Sequence, residues 1–379
     1  MKTVSPYLLL VILLLAGAIA SAQSKPTATS RKSVKPDTKL SKRDILTVIQ
    51  RTADWQLQHP TGKELNSWDY APFYHGLMAL YKTSMQQKYY DAIIDMGNTV
   101  RWEPLPRPYD ANQLAIAQVF LELYELTGNK SMIDKSRYMM DMPMSRDLAP
   151  EVRFKDNKYW WEWWTWCDAL YMAPPAYARL ATITGQPRYM EYMVQNWWLT
   201  SDHLYSRTDS LFFRDDRFIE ERSPNNKKIF WSRGNGWVVG GLARVLEYMP
   251  EDHPQRKRFV QQFVEMNHKL AGLQLDNGYW SQSLVDPAAY PQKETSGTAF
   301  FIYSMAWGIN HHLLDKEKFL PVISKGWNAL LEAVHTDGKL GYVQQVGDQP
   351  VDVKYEDAET YGSGAFILAG TALYQMLPD

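Results

Sequence analysis

Three short aromatic stretches, each entered through a turn, recur along the chain: TDSLFFRD at 208–215, LDNGYWSQ at 275–282 and TDGKLGYVQ at 336–344. Their centres, Phe213, Tyr279 and Tyr342, stand at intervals of roughly 60 residues, which is the period of a helical hairpin with its loops. The segments between them carry helix signals. Residues 110–127, DANQLAIAQVFLELYELT, place apolar side chains at 114, 117, 121 and 124, one face of a helix, and Gly128-Asn129 supplies a C-cap. ALYMAPPAYARLATIT likewise runs to Thr184-Gly185, GWVVGGLARVLEYMP stops at Pro250, and GTAFFIYSMAWGINHHLL precedes another long helix at 318–334. Five or six such hairpins fill residues 44–379. An open solenoid and a closed ring both fit, but no polar capping repeat is visible, so the expected fold is all-α, an (α/α)6 barrel. In that architecture the ends of the inner helices and their loops form a bowl, the natural place for a ligand.

Residues 1–22 read as a secretory signal: Lys2, an apolar run to about Ile19, and Ala20-Ser21-Ala22 as a cleavage site. Export to the periplasm or medium is therefore expected. No cysteine follows the site to take a lipid, and no later apolar run approaches the ~18 residues of a membrane span. Residues 23–43, rich in Ser, Thr, Pro and Lys, read as a disordered basic leader, and 44–379 as the folded (α/α)6 domain. Lys2 and the leader hold eight of the 41 Lys and Arg but only Asp37 of the 42 acids. The rest is left acidic, which argues against nucleic acid as a partner; an anionic ligand must be held by a few local arginines. Cys167 is the single cysteine, so no internal disulfide forms. The eight histidines show no metal-ligand spacing, and neither a metal nor another cofactor is expected.

The 15 Trp and 23 Tyr exceed what packing requires, and amphipathic rings of this kind stack on sugar faces. Five of the tryptophans crowd into WWEWWTW at 160–166, Trp164 among them, and Asp168 follows at the start of a helix. A carboxyl group among so many apolar neighbours should hold its proton to a higher pH, as a general acid requires; the alternative is a helix cap. Asp110 opens its own helix after PLPRPY and offers the same two readings. In a helical toroid both would face one rim, so a paired acid site is available. WSRGNGW at 231–237 sets Trp231 and Trp237 around Arg233, with two glycines that let a ligand approach the backbone, suiting a uronic acid carboxylate.

Taken in order, WTWCDALYMAPP, LFFRD, WSRGNGWVVGGLARVLE, ETSGTAFFIYSMAWGIN and YGSGAFILAG resemble glycoside hydrolase family 105, the unsaturated rhamnogalacturonyl hydrolases, kin to the family 88 unsaturated glucuronyl hydrolases. The resemblance spans roughly residues 45–377. It implies an (α/α)6 barrel that removes the 4,5-unsaturated uronic acid from the non-reducing end of oligosaccharides cut by polysaccharide lyases. It further implies that Asp168 protonates C4 and activates the water that adds at C5, and that Asp110 is the second catalytic aspartate, hydrogen-bonded to sugar or water. Trp68, His75, Trp231, Arg233 and Trp237 match its sugar-binding segments, and Trp164 is placed with them. Arg214 stands where family members carry a histidine, and is expected to bind substrate. Three other readings stay open: an inverting glycosidase using Asp110 and Asp168 as separated acid and base, a lyase, and a secreted sugar-binding protein without chemistry.

Overall fold

The computed structural model describes residues 40–147 and 149–378. The signal segment, and the leader as far as residue 39, lie outside them. The leader ends sooner than its composition suggests, since Ser41 caps α1 (Lys42–Gln58) by accepting from the Asp44 N–H and the helix takes in Lys42 and Arg43.

The remaining helices follow in strict alternation. α2 (Ala71–Ser84), α4 (Ala117–Thr127), α6 with α7 (Ala169–Met172, Pro174–Thr184), α10 (Ser232–Tyr248), α12 (Ser296–Asn310) and α14 (Thr360–Met376) form an inner ring. Around them stand α1, α3 (Gln87–Thr99), α5 (Asp134–Met144), α8 (Pro187–Leu204), α11 (Arg256–Ala271) and α13 (Lys316–Ala333). A one-turn α9 (Arg217–Glu220) lies in the loop before α10. Burial explains the sorting. The outer helices are amphipathic; α13 buries Phe319, Ile323, Trp327 and Leu330, spaced three and four apart, and turns its charges outward. By contrast, α12 is buried at every position from Ser296 to Ile309, which suits only a helix enclosed on all sides.

Each inner helix packs on the next, and α14 packs back on α2, closing the ring. The inner helices run parallel: Ser232 at the start of α10 meets Gly297 at the start of α12, and the start of α2 meets Gly364 in the first turns of α14. All six N-termini therefore open on one rim. This is the (α/α)6 barrel. Toward the other end Lys82 and Arg179 pair with Glu122, and burial, which alone would raise that carboxyl, is outweighed by Arg179, Lys82 and Arg244, holding it at about 2.

Two expected helices differ in detail. Residues 110–127 split into a 3-10 turn (Ala111–Leu114) and α4, and the helix after Asp168 breaks at Ala173 because Pro174 and Pro175 bring no N–H to continue it. The C-caps at Gly128 and Gly185 form as expected, with φ of 68° and 64°. The aromatic stretches are extended loops at the rim: β1 (Tyr205–Ser206) pairs with β2 (Leu211–Phe212), and Val334 bridges to Leu340.

Candidate active site

The rim carries an acid ahead of five of its six inner helices: Asp69, Asp110, Asp168, Glu294 and Glu359. What each carboxylate does is set by its partners, and they divide cleanly. Glu294 is a cap, accepting from the N–H groups of Ser296 and Gly297. Asp69 and Glu359 share the Lys63 ammonium at 2.7 and 3.0 Å, closing the seam between α2 and α14. Asp110 also caps: its Oδ1 accepts from the Asn112 N–H at 3.0 Å, while Gln113 Nε2 and Arg107 Nη1 both donate to Oδ2 at 3.3 Å.

Asp168 is different. It stands at the N-cap position of α6 but its side chain makes no capping bond, so its burial serves no purpose in the helix. The residue is 8% exposed. Its Oδ2 accepts one weak hydrogen bond, from the Cys167 thiol at 3.4 Å, and faces Arg214 Nε at 3.6 Å. Burial raises its pKa, against the lowering pull of Arg214, Cys167 and Arg233. The segment is held in place by the Cys167 N–H, which donates to the Arg214 carbonyl at 2.8 Å. A protonated carboxyl with so few commitments is free to donate outward. Burial pushes the Asp110 carboxyl up too, against its three donors and the Arg107 charge.

Beneath the rim lies an aromatic floor. Trp237 contacts Phe300 (4.6 Å), Tyr171 (4.9 Å) and Tyr361 (6.1 Å) between ring centroids, and Trp68 stacks on Tyr361 at 5.8 Å. Trp68, expected from the sequence to bind sugar, is only partly buried. Trp161 and Trp163 are also partly exposed, with the guanidinium groups of Arg107 and Arg146 lying over them.

Five of the residues expected to touch substrate do not have surface to do so. His75 is 1% exposed, its ring nitrogens engaged by the Tyr171 hydroxyl and the Ala115 carbonyl, and burial holds its pKa far below the usual histidine range. Trp164 packs against Tyr177 and Tyr192 in the core. Trp231 and Trp237 are 1% and 0% exposed, and Trp231 donates to Gln344 Oε1. Arg233, sandwiched between Trp231 and Tyr361, donates to the carbonyls of Gln344 and Gln345. These five buried aromatic and basic residues pack behind the rim; the Arg233 charge still reaches Asp168 through the intervening low dielectric. Arg214, also expected to bind substrate, lies beside Asp168, its Nε 3.6 Å from Oδ2.

Sequence reasoning passed over Lys63, Asp69, Glu359, Gln344 and Tyr361. A signal existed: Glu-Thr-x-Gly recurs at 294–297 and 359–362, an acid one turn ahead of a glycine in close contact, with Ser232 in the first case and Val343 in the second.

Comparison with known proteins agrees with this geometry. A family model described as Glycosyl Hydrolase Family 88 matches residues 41–377. The chain belongs to glycosyl hydrolase family 88. The resemblance read from the sequence, to family 105 and its kin family 88, is thereby borne out. Two relatives of this family 88 chain, from Alteromonas sp. (strain LOR) and Formosa agariphila, are each named "Unsaturated 3S-rhamnoglycuronyl hydrolase". The first is 35% identical over 317 residues, covering 81% of this chain and 77% of the relative; the second is 32% identical over 357 residues, covering 89% and 92%. A solved family 88 hydrolase from Bacteroides vulgatus superposes with a TM-score of 0.81 at 29% identity, over 89% of this chain and all of that one.

Asp110 supplies a test of the cap reading. Asp110→Ala leaves the Asn112 N–H and the Gln113 amide without their acceptor and should cost about 1–2 kcal/mol, whereas Asp110→Asn keeps an acceptor and should cost less. Urea unfolding of the two variants measures the difference; equal losses would contradict it.

Proposed function

We propose that this family 88 enzyme removes the 4,5-unsaturated uronic acid from the non-reducing end of lyase-generated oligosaccharides by hydrating its C4–C5 double bond. The observation that carries this reading is the Asp168 carboxyl: buried, uncommitted to its helix, and biased toward its protonated form. The substrate end is a cyclic enol ether, and its C4 is the carbon that accepts a proton. Asp168 delivers that proton, positive charge develops at C5 and the ring oxygen, and the Asp168 carboxylate so formed takes a proton from the water that attacks C5. The resulting hemiketal opens to a ketone at C5, and the hemiacetal left at C1 collapses, releasing the remaining saccharide. One carboxyl serves as acid and then as base.

Asp110 fits a supporting role, aligning the sugar or the water, because its oxygens already serve three donors. That arrangement disfavours the inverting glycosidase, in which Asp110 would be a free general base. Trp68 provides the ring for a sugar face. The names of the two relatives favour, among pectic, rhamnogalacturonan-type and related uronate oligosaccharides, a rhamnose-linked uronate of the 3S-rhamnoglycuronyl class as substrate. The residues 1–22 support action in the periplasm or outside the cell, which fractionation of the producing cells tests.

The free enzyme must carry protonated Asp168 to turn over, so kcat/KM is flat below the Asp168 pKa and falls above it. Since burial raises that pKa, the falling limb should lie above the ~4 of an ordinary aspartate. A limb at or below that value contradicts the assignment. The reading as a whole is tested by whether the ultraviolet absorbance of the conjugated uronate is lost on mixing with the enzyme.

A further inference from the structure

Asp168 stands at the end of a row of alternating charges. Arg214 Nε lies 3.6 Å from Asp168 Oδ2, and Arg214 Nη1 donates to Asp215 Oδ2 at 2.7 Å. Asp215, with no exposed surface, accepts both Nε and Nη2 of Arg217 at 2.8 Å, and Arg217 Nη2 reaches Asp348 at 2.7 Å. The Phe154 ring underlies both guanidinium groups, at 4.9 Å from Arg214 and 4.5 Å from Arg217. Every link is a short hydrogen bond except the first. Arg214 Nε is buried and donates to nothing, although a carboxylate stands in front of it.

That asymmetry has a chemical meaning. A guanidinium bound edge-on to Asp168 would lock it as a carboxylate and spoil it as an acid. A guanidinium removed altogether would leave a buried carboxyl too reluctant to ionise and act as a base. Drawn toward Asp215, Arg214 acts on Asp168 through its field without a committed bond, so the carboxyl gains or loses its proton with nothing to break. The other groups facing Asp168 are the Cys167 thiol on its own segment and Arg233 on α10. Burial drives the thiol pKa up, and the Arg233 donors are occupied by backbone carbonyls, leaving Arg214 as the adjustable element.

We propose that Arg214, held back by Asp215, is a positioning residue that sets the pH range over which Asp168 delivers its proton. This rests on the reading of Asp168 as the acid. It separates from a substrate-binding role because the two variants shift the profile in opposite directions. In Arg214→Gln the falling limb of kcat/KM should move to higher pH by about one unit or more. In Asp215→Asn the freed guanidinium closes on Asp168, and the limb should move to lower pH. Arg214→Lys, which keeps the charge, should leave the limb closest to wild type. Circular dichroism confirms that each variant is folded. A raised KM with an unmoved limb in Arg214→Gln, or shifts of the same sign in both variants, overturns the proposal. The carboxyl of Asp168 in substrate-free protein, followed by carbon NMR across pH in wild type and variants, reports the same shifts without turnover. Opposite NMR shifts without any hydrolysis would sustain the ladder and defeat the function; hydrolysis with unmoved NMR titrations would do the reverse.

Discussion

Asp168→Asn is expected to abolish turnover, by about a thousandfold or more, while the protein stays folded and binds its oligosaccharide nearly as before. The magnitude follows from the role: general acid or base catalysis alone contributes roughly 10²–10⁴-fold, and here one carboxyl performs both. Binding should survive because the amide is nearly isosteric and the partly buried Trp68, stacked on Tyr361, is untouched. Stability has a definite sign as well. A carboxyl whose folded pKa is raised above its unfolded value contributes stability only at low pH and loses it as pH rises through the folded pKa. Above that pKa the ionised Asp168 therefore weakens the fold, and there Asp168→Asn should unfold at the same temperature as wild type or higher. A melting curve and a binding isotherm beside the kinetics check all three points. An inactive variant that is also markedly less stable would mean that Asp168 is structural. A variant that keeps activity would remove it from the mechanism.

The second large effect concerns the closure of the ring. The barrel is completed where α14 meets α2, and there Gly364 lies against the chain at Pro72 and Phe73. A Cβ at this position would fall 2.3 Å from the Pro72 carbonyl carbon and oxygen and 2.5 Å from the Phe73 nitrogen. These are backbone atoms of a buried helix start and cannot swing aside as a side chain does. Gly364→Val should therefore force the two helices apart and destabilise the fold by about 3 kcal/mol or more. The same seam holds the Trp68–Tyr361 stack, the Lys63 bridge and the Thr360 hydroxyl bond to the Asp69 carbonyl, so activity should fall along with stability. Gly347, with its nearest neighbours at 3.7 Å, is the control, and Gly347→Ala should change stability by no more than ~0.5 kcal/mol. Urea unfolding followed by tryptophan fluorescence measures both. Equal small effects would show that the seam is looser than its geometry.

The barrel was legible because its repeat is written in local signals. Turn residues before Phe213, Tyr279 and Tyr342, and the glycines at 128 and 185, depend on neighbours in sequence and survive without knowledge of the fold. Asp168 and Asp110 were legible for the same reason, as acids at helix starts. Which of them caps and which does not was hidden, since that turns on the ψ of one residue: Asp110 is extended at ψ 116° and reaches the Asn112 N–H, while Asp168 is already helical at ψ −29° and does not. The aromatic and basic residues were misread where composition is silent about direction. Trp237 and Trp68 look alike in sequence, yet one is enclosed by Tyr171 and Phe300 and the other is only partly buried. Lys63 could not be found at all, for its partners Asp69 and Glu359 come together only when the ring closes.

The most direct test of the central claim is the ultraviolet absorbance of the conjugated unsaturated uronate on mixing the enzyme with lyase-generated oligosaccharides. Fragments of the 3S-rhamnoglycuronyl class and of rhamnogalacturonan are compared, with Asp168→Asn alongside. The account predicts a fall in absorbance with wild type, steepest for the 3S-rhamnoglycuronyl fragments, and none with the variant. Unchanged absorbance accompanied by cleavage of saturated glycosides would contradict hydration of the double bond and favour the inverting glycosidase; a rise in absorbance would identify a lyase.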